Sequence, residues 1–197
     1  MKRAKPDVET LRDLALQKIG RNVVNFQKME AMLKFVLAFS EVKGPLSNVG
    51  GQVADRIVSF SRMPMGRLVE EAGRGLYGTS PPETSAPGSS TETTVSVSFS
   101  LEGGKDEARV WKSAIMRVVA ERNRLIHKML ATFDPSSKQS CEELCAELDA
   151  QRECFDSEYR HLESLVHAIR ESFQELAKHI DDGLSRQVST HESNNTV

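Results

Sequence analysis

Residues 138–184 read KQSCEELCAELDAQRECFDSEYRHLESLVHAIRESFQELAKHIDDGL, and the fold turns on this stretch. No proline or glycine interrupts it before Gly183. Cys141, Leu144, Leu148, Phe155, Leu162, Leu165, Ile169, Phe173, Leu176 and Ile180 keep the three-and-four spacing of one helix face. Glu, Gln, Lys, Arg and Asp fill the positions between. A stripe of this kind needs other helices to cover it.

Two further stretches supply them. From Val8 to Phe39 the apolar positions are Leu11, Leu14, Ile19, Val23, Phe26, Met29, Leu33 and Leu37. Gly44-Pro45 reads as the stop of this helix and Gly20 as a bend within it. Glu30, four after Phe26 and three before Leu33, falls inside the apolar stripe. Asp106 to Phe133 is the third, with Val110, Trp111, Ala114, Val118, Leu125 and Met129 expected on its inner side. Asp134-Pro135-Ser136-Ser137 ends it and caps the next. Shorter helices are predicted over Gln52–Phe60 and Met65–Ala72.

Between the short helices and the third long one, composition changes. GTSPPETSAPGSS, residues 78–90, is too rich in Pro, Ser, Gly and Thr to bury a core. Val95, Val97, Phe99 and Leu101 then alternate with serine, which reads as one half-apolar strand. Such a strand packs on its own bundle as a short hairpin, or offers an edge to a partner. The expected fold is an all-α antiparallel helical bundle, one domain over residues 1–184. Residues 78–105 form a flexible insertion carrying one short strand or hairpin, and 185–197 a disordered tail.

The 197 residues, 39% apolar and 27% charged, allow one sizeable core and not two. A net charge of −2 and a pI near 6.2 argue against coating nucleic acid with a broad basic face. Binding to a nucleic acid would need a local cluster of cations. The three cysteines, Cys141, Cys145 and Cys154, read as small buried or half-buried thiols of one helix. MKRAKPDVETLRDL lacks an apolar leader, and no run of 18 apolar residues occurs. A cytoplasmic protein with no membrane partner is expected.

Two patterns mislead. GRGLYG at 73–78 fits G-x-G-x-x-G, yet a helix precedes it and a Pro-rich segment follows, the wrong setting for a dinucleotide. His161, His167 and His179 ride the long helix without ligand partners at metal spacing. No cofactor and no metal are expected.

The chemistry sits in ERNRLIHKML, residues 121–130. On a helix Asn123 and His127 lie one above the other, and Arg122 follows Val118 by four. The three side chains are expected to converge on one inward strip. It offers an imidazole able to take or give a proton, a fixed cation for a phosphate and an amide to orient either. Lys128, beside His127, is a supporting cation. Arg186 and His191 repeat the Arg-to-His spacing in the tail, so the Asn and the helical setting matter more than the spacing. A structural reading competes: a buried ion pair of Arg122 with Glu30 would explain both interruptions of the apolar stripes. The two readings are compatible, since a carboxylate can hold a catalytic arginine.

RNRLIH, at 122–127, resembles the R-N-x-x-x-H signature of the HEPN superfamily (higher eukaryotes and prokaryotes nucleotide-binding). GRNVVNFQKMEAMLKFVL, at 20–37, is similar to the first helix of such proteins, with Phe26, Glu30 and Leu33 in an F-x-x-x-E-x-x-L pattern. The resemblance implies a helical bundle that dimerises and a metal-independent endoribonuclease serving as a toxin or in defence against phage. It makes Arg122 and His127 catalytic, Asn123 catalytic in their support, and Glu30 a supporting carboxylate. RNA would be the substrate, and an antitoxin or regulatory protein a partner. The 78–105 insertion departs from the general bundle, and no nucleotidyltransferase domain is fused. The competing function is a non-catalytic helical module that binds a nucleotide or a protein.

Overall fold

The computed structural model describes residues 7–76, 94–101 and 104–194. Helix α1, Val8–Phe39, starts where the Asp7 carboxylate accepts the Thr10 amide at 2.8 Å. It passes through Gly20 without a break. The chain leaves α1 at Ser40, before the expected Gly44-Pro45 stop, and enters strand β1, Glu41–Pro45. A 3₁₀ turn, Leu46–Asn48, leads into α2, Val49–Ser61, and then α3, Met65–Gly75. Strand β2 is Thr94–Ser98, and α4 spans Lys105–Arg124. A π-turn, Leu125–Met129, and a last short turn α5, Leu130–Thr132, complete the third long stretch.

Helix α6 runs from Lys138 to Asn194. The Ser137 hydroxyl accepts the Ser140 amide at its start, the cap that Asp134–Ser137 predicts. The helix continues ten residues past Leu184, where polar composition predicts a disordered tail. Adding a residue to an existing helix closes one more hydrogen bond, which costs far less than nucleation. The expected flexibility of 78–90 falls on residues outside those described.

The fold is all-α with one small sheet. α1 and α6 form its spine, with Phe26 and Phe155 in ring contact at 4.8 Å between centroids. Met29, Leu33, Leu68, Ile115, Leu148 and Leu162 are fully buried around them. Cys141 and Cys145 are buried and Cys154 is exposed. Two residues expected inside face outward: Val110 is 69% exposed and Leu14 39%. In α4 the core positions are filled by Trp111, Ile115 and Val118, which leaves Val110 a quarter-turn off the stripe.

The strand is not a local hairpin. β1 pairs antiparallel with β2, which lies beyond α2 and α3 in the chain, with Glu41 opposite Ser98 and Pro45 opposite Thr94. Gly44 has φ +157°, and a Cβ there would strike the Gln52 side chain. A glycine fits both demands. Arg56 of α2 donates to the Leu37 and Ala38 carbonyls, at 2.6 and 3.0 Å, satisfying the end of α1.

On the opposite flank Lys18 and Arg21 of α1 both reach Asp149 of α6. The Lys18 ammonium, and after it Arg21, hold the Asp149 carboxyl below the ordinary carboxylate range. A carboxylate whose folded pKa is depressed adds stability above its unfolded pKa and loses it as pH falls through the folded one. Asp149→Asn should therefore cost stability at pH 7, with the deficit shrinking from about pH 4 downward. Urea melts of both proteins between pH 7 and 2 check this. A deficit that persists undiminished at pH 2 would remove the ion pairs as its source.

Candidate functional site

Helix α4 carries Arg122 and Asn123 to the surface, and the core beneath is closed by Leu125 and Met129. Arg122 is half-buried; Asn123, His127 and Lys128 are exposed. The strip therefore faces outward, which corrects the expectation that it lies on the inner side. Arg122 donates to the Asn123 carboxamide oxygen at 3.0 Å. That bond is the only one its guanidinium makes among the described residues.

The Glu30–Arg122 ion pair does not form. Glu30 accepts instead from Lys34, one turn along α1, at 2.7 Å. Lys34 also donates to the Ser61 carbonyl at 2.9 Å, at the end of α2. A lysine four residues away on the same helix is tethered to its carboxylate, and it wins over an arginine on a neighbouring helix. Glu30 and Arg122 still share one cavity of about 480 Å³, between α1, the α2–α3 turn and α4. Lys34, Arg62, Arg67, Glu70 and Asn123 also border it. His127 and Lys128 do not.

His127 stands one turn further along, in the π-turn, and does not border that cavity. In an uninterrupted α-helix His127 would rise above Asn123, and Arg122 would lie about 140° from it, five steps of 100°. The wider turn unwinds α4 between Leu125 and Met129. Each residue of the wider turn rotates by less than 100°, so His127 stays over Asn123 and the angle to Arg122 narrows. Its imidazole has no hydrogen bond or ion pair among the described residues.

Two residues that sequence reasoning passed over tie the end of α4 to the spine. Gln151 of α6, 1% exposed, donates to the Glu121 carbonyl at 2.9 Å and to the Glu121 carboxylate at 3.1 Å. Its own oxygen accepts from buried Asn22 of α1 at 3.1 Å, and Asn22 also donates to the Leu148 carbonyl. The Glu121 carbonyl thus accepts from Gln151 as well as from the Leu125 amide, which pins the end of α4 to α6. The signal was legible: Asn22 and Gln151 each stand four residues ahead of a core phenylalanine, Phe26 and Phe155.

Along one side α4 and the π-turn present Met116, Val119, Asn123 and Ile126 at spacings of three and four. Met116 and Ile126 are exposed apolar side chains. The polar strip thus lies between apolar groups that this chain leaves uncovered. Among the described residues no three His, Cys, Asp or Glu side chains group as a metal site. None of the helices searched is long and apolar enough to cross a membrane. No family model, no curated protein and no solved structure matches the chain.

Proposed function

We propose that the chain is a metal-independent endoribonuclease of the HEPN kind, acting as a homodimer in toxin or phage-defence biology. One observation carries this reading. Arg122, Asn123 and His127 are accessible, and no other part of the described fold uses their polar groups. The structural reading needed Arg122 tied to Glu30, and Lys34 occupies that carboxylate instead.

The chemistry follows from the groups available. The 2′-hydroxyl of a ribose attacks the adjacent phosphorus, giving up its proton to an imidazole acting as base. The bond from phosphorus to the 5′-oxygen breaks, that oxygen takes a proton from water, and the imidazolium returns its proton to solvent. Arg122 faces the charge that accumulates on the pentacoordinate phosphate. Glu30 supports the site indirectly, by holding Lys34 at the cavity, and Lys128 adds a cation beside His127. The products are a 2′,3′-cyclic phosphate and a 5′-hydroxyl.

A single strip is thin for this work, with Arg122 in a cavity that His127 does not border. Two strips meeting across a two-fold axis would cover Ile126 and bring a second set of cations to one cleft. On that arrangement a working site draws Arg122 from one protomer and His127 from its partner. Mixing inactive Arg122→Ala with inactive His127→Ala should then restore up to half the wild-type activity per heterodimer. Cleavage should proceed in EDTA. Absence of recovery on mixing, or a monomer by light scattering, would end the shared-site arrangement. Specific RNA binding without cleavage would favour the non-catalytic module.

A further inference from the structure

The cavity beside Arg122 holds more positive charge than the cleavage chemistry uses. Four cations border it, Lys34, Arg62, Arg67 and Arg122, against two carboxylates. Lys34 is engaged by Glu30 at 2.7 Å, and Arg67 stands 3.5 Å from Glu70. Arg62 has no side-chain partner among the described residues, and Arg122 has only the Asn123 amide. Two guanidinium groups thus face one cavity with no acid opposite either.

Helix α3 begins at the same place. Its first residue, Met65, follows Pro64, and no side chain caps it. Arg67 and Leu68 turn their amides to the Pro64 carbonyl, at 2.9 and 3.2 Å. The Met65 and Gly66 amides have no acceptor among the described residues, and both residues border the cavity. A helix start with free amides favours an anion, and here two arginines stand around it. The cavity also has an apolar wall, from Met63, Met116 and Val119. Its volume of about 480 Å³ lies within the range of small-ligand sites.

We infer that this cavity binds a nucleotide of single-stranded RNA, its phosphate on Arg62 and the α3 amides, its base against the methionine wall. It extends the endoribonuclease reading to a nucleotide beside the cleaved bond, and rests on it for the identity of the strand. Arg62 is then a positioning contact, which holds the strand by its phosphate. The guanidinium supplies a directed pair of donors to a phosphate, while lysine supplies only the charge.

The test is binding of a DNA tetranucleotide, which lacks the 2′-hydroxyl and cannot be cleaved, followed by fluorescence anisotropy on the full chain. Arg62→Ala should weaken binding about tenfold or more. Its slope of log affinity against log salt should fall by about 0.7, the share of one phosphate on a single strand. Arg62→Lys should recover part of the affinity and most of the slope. Arg62 lies at the exposed end of α2, so the fold tolerates both changes. An unchanged affinity and slope in Arg62→Ala overturns the proposal. So does a 5′-mononucleotide that binds as tightly as the tetranucleotide, which would make this a pocket for free nucleotide. If wild type binds the DNA through Arg62 and cleaves no RNA, the cavity site stands and the nuclease reading falls.

Discussion

His127→Ala should lower the rate of RNA cleavage by at least ~100-fold while the urea midpoint stays at the wild-type value. The two halves of this expectation rest on the same fact. The imidazole is exposed and bonded to nothing else among the described residues, so its removal opens no cavity and orphans no buried group. A rate loss of that size without a stability loss is characteristic of a proton-transfer group acting at the reacting atoms. Cleavage of a labelled RNA oligonucleotide in EDTA, with wild type and variant at equal concentration, measures it. Full activity in His127→Ala would remove the mechanism, even if RNA were cut.

Phe155→Ala should cost about 3–5 kcal/mol of folding stability, the usual range for emptying a core aromatic site. Phe155 is 1% exposed and meets Phe26 at 4.8 Å, where the spine helices α1 and α6 touch. Neighbours such as Leu148 and Leu162 belong to the same rigid helix and cannot collapse into the space freely. The ring stands one turn beyond Gln151, so the clamp on Glu121 should loosen with it. Chemical denaturation by circular dichroism gives the loss. A cost below about 1 kcal/mol would mean that α1 and α6 do not pack through this ring.

The long helices were legible because each repeats its apolar signal over many turns. α6 could be read from Cys141 to Ile180 without one breaker. Val110 and Leu14 were misplaced because each is an apolar residue one step from a true core position, and composition does not resolve that step. β1 was invisible for a different reason. Lys43, Gly44 and Pro45 are poor strand formers, and only the distant Val95–Val97 segment makes them a strand. At the site, the exposure of Asn123 and His127 and the fate of Glu30 depended on tertiary neighbours. Lys34 was four residues from Glu30 in plain view, yet its hold on the Ser61 carbonyl needs α2 in place. The clamp on Glu121 depends on Gln151, which reaches it from another helix.

The length of α6 also changes how the molecule travels through solution. Fifty-seven helical residues rise about 85 Å, whereas a compact chain of this size would have a radius of gyration near 16 Å. α1 reaches only about 48 Å, so the far turns of α6 project beyond the spine that it shares. A projecting rod adds friction out of proportion to its mass. On a gel-filtration column a single chain would therefore elute ahead of a compact standard of equal mass, close to where two copies of a rounder protein would emerge. Elution volume alone would report an apparent dimer whichever state was present. Sedimentation velocity, which yields the frictional ratio together with the mass, separates the two.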